Sequence, residues 1–243
     1  MPDTSDQHSR MTRALVTGAS KGIGFEIAKA LSSEGVEVII GARDRRRGTD
    51  AARALDVEFV QLDVTDDASV ARAVGEVERG GETLDILVNN AGVLLELEHR
   101  DPTLVPIELV RRTYDTNVFG VIRVTNAFLP LLRRAPAARI VNVTSRLSSL
   151  TRALESTPRH LTFLAYNSSK TALNAVTVQY ALALRGTPIK INAVDPGHSA
   201  TDINGRMGDR PPSEAARLPV RLALLPGDGP TGAFISNEGE VPW

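Results

Sequence analysis

Short apolar runs rich in β-branched residues alternate along this chain with longer stretches of helical periodicity, and the first run opens straight into a glycine-rich turn. Ala14-Leu15-Val16, Val36 to Gly41, Val57 to Leu62, Leu84 to Val88, Arg139 to Thr144 and Ile189 to Val194 read as strands apolar on both faces. Phe25 to Ser33, Ser69 to Val77, Leu104 to Arg134 and Ala165 to Arg185 read as helices, the first with Ile27, Ala28 and Leu31 on one side. Strands apolar on both faces need cover on both faces, and strand–helix alternation supplies it through a parallel sheet. The expectation is an α/β fold with a doubly wound, mostly parallel sheet and helices on both sides.

With 243 residues and neither an internal repeat nor a Gly/Pro/Ser-rich linker, one domain over residues 12–243 is expected, ample for a sizeable core. The polar opening, residues 1–11, is expected to be disordered. Gly197 to Pro219, rich in Gly, Pro and Arg, is the candidate mobile substrate loop. A formal net charge of -1 gives no electrostatic case for nucleic acid or an anionic membrane. The arginines at 43, 45, 46 and 47 read as a solvated loop. The absence of cysteine excludes disulfides and cysteine–zinc sites, and no apolar window is long enough to span a membrane. With no secretory-type apolar stretch near Met1, a cytoplasmic location is expected. Of 28 basic residues only four are lysines, yet Lys21 and Lys170 both fall in the motifs below, through a need for an ammonium group or through chance.

Thr17-Gly18-Ala19-Ser20-Lys21-Gly22-Ile23-Gly24 joins the first strand to the first helix. Gly18, Gly22 and Gly24 permit a tight turn and close approach of backbone to a pyrophosphate at the helix N-terminus; glycine needed for turn geometry alone is the competing reading. The spacing is not G-x-G-x-x-G. The second strand ends Gly41-Ala42-Arg43-Asp44, with no acid where a ribose 2′-hydroxyl of NAD would be held. Arg43, joined by Lys21, suits the 2′-phosphate of NADP, unless both simply face solvent; Asp44 stands one residue late for the NAD acid. Asp63-Val64, after the third strand, suits an adenine, or Asp63 is a turn or helix-capping residue.

At the other end of the site, Asn89-Asn90-Ala91-Gly92 follows the fourth strand, where ligands of open parallel sheets bind. Its asparagines tie strand ends together or contact a cofactor. Asn117 stands inside the long helical pattern, where asparagine is a poor choice without a polar role. Ser145 ends the fifth strand, and Tyr166 lies four residues before Lys170 on one helical face. Taken alone, Tyr166 is as well explained as an amphipathic core residue.

Together these residues resemble the short-chain dehydrogenase/reductase family, in its carbonyl-reductase-like branch. The resemblance runs from Thr17 to about Thr201 and rests on Thr17-Gly18-x-x-x-Gly22-x-Gly24, Asn89-Asn90-Ala91-Gly92, Asn117, Ser145, Tyr166-x-x-x-Lys170 and Pro196-Gly197, in the family's order. It implies a Rossmann-type sheet of about seven strands, the last at Thr231 to Ile235, and a catalytic tetrad of Asn117, Ser145, Tyr166 and Lys170. It implies NADP(H) held by Gly18, Ser20, Lys21, Gly22, Ile23, Gly24, Arg43, Asp63, Val64, Asn90, Ala91, Gly92, Tyr166, Lys170, Pro196, Gly197, Ser199 and Thr201, with no metal. In the family Lys170 also binds the nicotinamide ribose, Asn117 holds a relay water, and Thr201 meets the nicotinamide amide. His198 reads as a loop residue beside the pocket, because Tyr166 already fills the acid–base role.

The physics of carbonyl reduction agrees. An alkoxide forming from a carbonyl needs a proton and donors aimed at its oxygen. Tyr166 supplies both, Ser145 holds the oxygen, and Lys170 is expected to pull the phenol below its ordinary pKa of about 10. The expected activity is NADPH-dependent reduction of a ketone or aldehyde. Net alcohol oxidation, a non-catalytic NADP-binding regulator and a pure scaffold are the alternatives.

Ser145 and Tyr166 stand 21 positions apart, further than is common in the family. The added stretch, Arg146 to Leu164, carries Leu147, Leu150, Leu154, Leu161 and Phe163 and is expected to make the substrate pocket apolar. It is also expected to disturb the helix packing through which many relatives tetramerise, favouring a monomer or homodimer.

Overall fold

A computed structural model describes residues 10–99, 101–156 and 161–243. Of the opening expected to be disordered, residues 1–9 lie outside the described residues, as do 157–160 of the added stretch. Arg10 is described, and its Nη1 donates to the Asp85 carboxylate at 3.0 Å.

The elements run β1 (Arg13–Thr17), α1 (Gly22–Ser33), β2 (Glu37–Ala42), α2 (Arg45–Leu55), β3 (Glu58–Gln61), α3 (Asp67–Gly80), β4 (Ile86–Asn89), α4 (Ile107–Tyr114), α5 (Gly120–Arg134), β5 (Arg139–Val143), α6 (Leu150–Ser156), α7 (Leu164–Ala183), β6 (Lys190–Val194), α8 (Pro212–Ala215), α9 (Arg217–Ala223), β7 (Phe234–Ser236) and β8 (Gly239–Glu240). The sheet order is β3-β2-β1-β4-β5-β6-β7-β8. Seven strands are parallel, as expected; β8 adds a two-residue antiparallel edge. Because β2 and β3 lie on one side of β1 and β4 on the other, the winding reverses between β1 and β4. A crevice opens there beyond the carboxyl ends of the strands.

Alternation along each strand divides the core in two. Leu15 and Ile39 face a layer with Val70 of α3, Val124 and Phe128 of α5 and Ala181 of α7. Ala14, Val16, Val38 and Ile40 face the opposite layer, with Ile27 and Leu31 of α1 and Leu218 and Leu222 of α9. Burial on both faces is why the strands read as continuous apolar runs. Phe128 is fully buried, and truncating such a ring to alanine costs about 3–5 kcal/mol.

Three local readings change. The arginine cluster is the first turn of a helix: the Asp44 carboxylate accepts from Arg47 N at 3.0 Å and caps α2. Its glycine at position 48 is dictated by packing, since a Cβ there would stand 2.0 Å from the Phe59 ring. The segment from Gly197 to Pro219 holds α8 and the start of α9, with Ala215, Ala216 and Leu218 buried. The long helical pattern starts after Pro106, and α4 and α5 join through a single π-helical turn, Asp115–Phe119. Asn117, anomalous in an α-helix, sits in that turn.

Candidate active site

The turn after β1 is shaped by what lies against it. Gly18 has φ +65°, and a Cβ on it would stand 2.8 Å from Ala91 Cα. A Cβ on Gly24 would stand 2.3 Å from Asn90 Nδ2. The close approach is held by hydrogen bonds: Thr17 Oγ1 accepts from Asn90 N and Ala91 N, both at 3.0 Å, and Asn90 Nδ2 donates to Thr17 O at 2.8 Å. Asn89 turns the other way. Its Nδ2 donates to Thr125 Oγ1 at 3.1 Å and Asn142 Oδ1 at 2.9 Å, and Asn142 Nδ2 donates to Thr177 Oγ1 at 2.9 Å. This buried polar ladder runs from α5 across β4 and β5 to α7. Asn89 therefore ties strands together, while Asn90 fixes the turn.

One cleft of about 1530 Å³ runs from this turn past the ends of β2, β5 and β6. All eighteen positions expected to contact a cofactor line it, as do Ser145, Tyr166 and Lys170. Glycine packed against Ala91 and an arginine beyond β2, in one cleft, fit a phosphorylated dinucleotide. Arg43 is exposed, its carbonyl accepting from Gln61 Nε2 at 3.1 Å. Lys21 forms an ion pair with Asp202, Nζ to Oδ2 2.6 Å, across the mouth of the cleft. The Asp63 carboxylate accepts from Thr65 N at 2.9 Å and Thr65 Oγ1 at 2.7 Å, closing a turn at the cleft wall; the cap of α3 is Asp66.

Asn117 is fully buried and lies behind the cleft wall. Its Oδ1 accepts from Val93 N at 2.8 Å; its Nδ2 donates to Val93 O at 2.9 Å and to Ser169 Oγ at 3.0 Å. The π-turn thus aims one amide at both the segment after β4 and at α7. Lys170 Nζ donates to Val143 O at 2.8 Å and lies 5.8 Å from the Tyr166 ring centroid. Burial lowers the Lys170 pKa to about 8. Tyr166 is pushed well above its ordinary value, first by burial and then by the negative charge of Asp195; a hydrogen bond from Ser145 pulls the other way. Lys170 is not among the groups that move it here, so the expected lowering is not seen.

Asp195 escaped the sequence reading, although an acid ending a buried strand was a usable signal. It is buried, accepts from Gly197 N at 3.2 Å and pairs with Arg146 at 3.1 Å. Arg146 also pairs with Glu238 at 2.8 Å. One wall of the cleft is therefore polar, with Arg146, Glu238, His198 and Arg210 along it. The other is apolar as expected, with Leu147, Leu161 and Phe163, but Leu150 and Leu154 point to solvent, 69% and 99% exposed. The segment after Pro196 folds back on itself: Ala200 N donates to Arg210 O at 2.8 Å, and Asn204 Nδ2 donates to Ser199 O at 3.0 Å. Glu96, also unforeseen, is fully buried against the start of α7. Among the described residues no helix is long and apolar enough to cross a membrane.

A doubly wound sheet with a glycine floor at its switch point and a Ser–Tyr–Lys cluster at the ends of β5 and α7 defines a class of nucleotide-dependent oxidoreductases. The sequence matches the short chain dehydrogenase family over residues 12–211, and the chain belongs to that family. It is similar to (-)-isopiperitenone reductase of Mentha piperita, 35% identical with 93% of this chain and 96% of that protein covered. It is also similar to carbonyl reductase [NADPH] 1 of Bos taurus, 34% identical over 95% of this chain and 98% of that one. Among solved structures, NADPH-bound carbonyl reductase from chicken fatty liver superposes with a TM-score of 0.82 at 29% identity, covering 96% of this chain and 100% of that one.

Proposed function

We propose that this chain reduces a ketone or aldehyde to the corresponding alcohol, using NADPH and Tyr166 as proton donor. The observation that carries this reading is that Tyr166, Ser145 and Lys170 line one cleft with the glycine floor. The carbonyl-reductase relative supports it.

Bound in the cleft, NADPH would supply the hydride. The turn from Gly18 to Gly24 would hold its pyrophosphate, and Arg43 its 2′-phosphate, with Lys21 joining by exchanging Asp202 for phosphate. Ser145 donates to the substrate carbonyl oxygen, and Tyr166 passes its proton to that oxygen as negative charge develops. Lys170, cationic below about pH 8, adds positive charge beside the phenol and would hold the ribose. Asn117 fixes Val93 and Ser169, so the tetrad includes one member that shapes the site from behind. The apolar side at Leu147, Leu161 and Phe163 suits a carbonyl compound with an apolar body, and the polar side a polar edge on it.

Net oxidation of an alcohol would run the same steps in reverse with Tyr166 as the base, and the cofactor ratio decides the direction. The test is NADPH consumption across a diverse carbonyl panel, including polycyclic and terpenoid ketones, with wild type and Tyr166→Phe. Loss of acid catalysis predicts a turnover drop of ~10²-fold or more. Retention of more than about a tenth of wild-type turnover removes Tyr166 from the mechanism, on the same scale. NADPH binding without turnover on any panel member points to a regulator.

A further inference from the structure

Glu96 is the single acid in the run Val93-Leu94-Leu95-Glu96-Leu97, and none of its surface is exposed. A carboxylate is removed from water at high cost unless donors surround it. Here they are main-chain groups of the catalytic helix: Oε1 accepts from Tyr166 N at 2.6 Å and Oε2 from Ala165 N at 3.1 Å. The first N–H groups of a helix have no partner within it, and negative charge is favoured there. The residue preceding α7, Phe163, offers no side-chain cap. Glu96 supplies from another segment what the local sequence does not.

That segment is fixed at both ends. Asn117 grips Val93 through both its N–H and its carbonyl, and Glu96 grips the first turn of α7. Leu94, in between, and Leu97, just beyond, line the cleft. We propose that Glu96 is a positioning residue for Tyr166: by capping α7 across the cleft wall, it sets the phenol at the height where the carbonyl oxygen is held by Ser145. This rests on the reading of Tyr166 as proton donor.

The test compares Glu96→Ala, Glu96→Gln and Glu96→Asp in the full chain, each alone and in the Tyr166→Phe background, with melting temperature and NADPH fluorescence binding measured alongside. Misplacement of a reacting group by about 1 Å costs on the order of 10²-fold in rate. Glu96→Ala is expected to lose turnover on that scale while NADPH affinity falls much less, because the glycine floor is untouched. Glu96→Gln keeps an acceptor oxygen and should recover most of the turnover, whereas the shorter Glu96→Asp should not. In the Tyr166→Phe background Glu96→Ala should cost nothing further. Wild-type turnover in Glu96→Ala overturns the proposal, and so does an undiminished loss in the Tyr166→Phe background. If Glu96→Ala does not fold, equal turnover of Glu96→Gln and Glu96→Asp overturns it. An active Tyr166→Phe enzyme instead defeats the reading of Tyr166 itself, and the positioning role falls with it.

Discussion

At the nucleotide half of the cleft the walls are main chain, with Gly18 against Ala91 and both held by Thr17 and Asn90. At the substrate half they are side chains on segments between elements: Leu147 and Phe163 on one side, Arg146 and Arg210 on the other. The first half is pinned by hydrogen bonds between adjacent strand ends, so a substitution there moves the sheet. The second hangs on loops and short helices, so its chemistry can change without moving a strand.

The sharpest way to break this contrast is to force a side chain into a left-handed glycine in each half. Gly18 has φ +65° with Ala91 Cα in the way; Gly205 has φ +64° with no atom within 4 Å of a Cβ. Gly18→Val is expected to cost about 2–6 kcal/mol, strain and overpacking together, and to abolish NADPH binding. Gly205→Val should cost only the strain, about 1–2 kcal/mol, and leave NADPH affinity unchanged. Equal melting shifts, or intact binding in Gly18→Val, would show that the floor is not the rigid half.

A smaller effect is expected at Arg43, whose side chain stands at the nucleotide half of the cleft. Arg43→Ala should weaken NADPH by roughly 10- to 100-fold, the size of a charge-assisted hydrogen bond, and leave NADH nearly unchanged. Wild-type preference for NADH, or an equal loss for both cofactors, would remove Arg43 from phosphate recognition. The pH profile probes the seam between the halves. A lysine with a lowered pKa is protonated below it and neutral above, and Lys170 sits at about 8. Reduction at saturating NADPH should therefore be flat at neutral pH and fall as pH rises through about 8. Tyr166 stays protonated throughout that range and does not contribute the fall. A profile flat to pH 10 would mean that the Lys170 charge is not needed, given how far its burial has lowered it.

What the sequence revealed follows the same division. The parallel sheet was legible because strands buried on both faces leave continuous apolar runs, as in β1 and β2. The floor was legible because glycine leaves a fixed spacing, and Asn117 because an asparagine inside a helical pattern calls for a reason. The first turn of α2 was not, since the ring of Phe59 that makes Gly48 obligatory arrives from β3. Asp195 and Glu96 act on Tyr166 from 29 positions downstream and 70 upstream, and no local period reports such pairings. The polar wall of the cleft was missed for the same reason, because Arg146 acquires its character from Asp195 and Glu238.

The smallest expected effect lies where the halves touch. Lys21 belongs to the glycine turn and Asp202 to the segment after β6, and they meet at 2.6 Å with side chains 56% and 46% exposed. The Asp202 carboxyl is held below its usual range, first by the hydrogen bond from Lys21 and then by Arg206. Exposed pairs of this kind contribute little to stability, so Asp202→Asn should shift the melting temperature by roughly 2 °C or less. Its effect on binding should have the opposite sign to that of Arg43→Ala. With Asp202 neutral, Lys21 is released to the 2′-phosphate, and NADPH affinity should rise several-fold at low salt while NADH affinity stays level. Raising the ionic strength should erase the gain, because both partners are solvated. If Asp202→Asn instead weakens NADPH, the carboxylate is holding the segment after β6 in place for the cofactor, and the two halves of the cleft are a single mechanical unit.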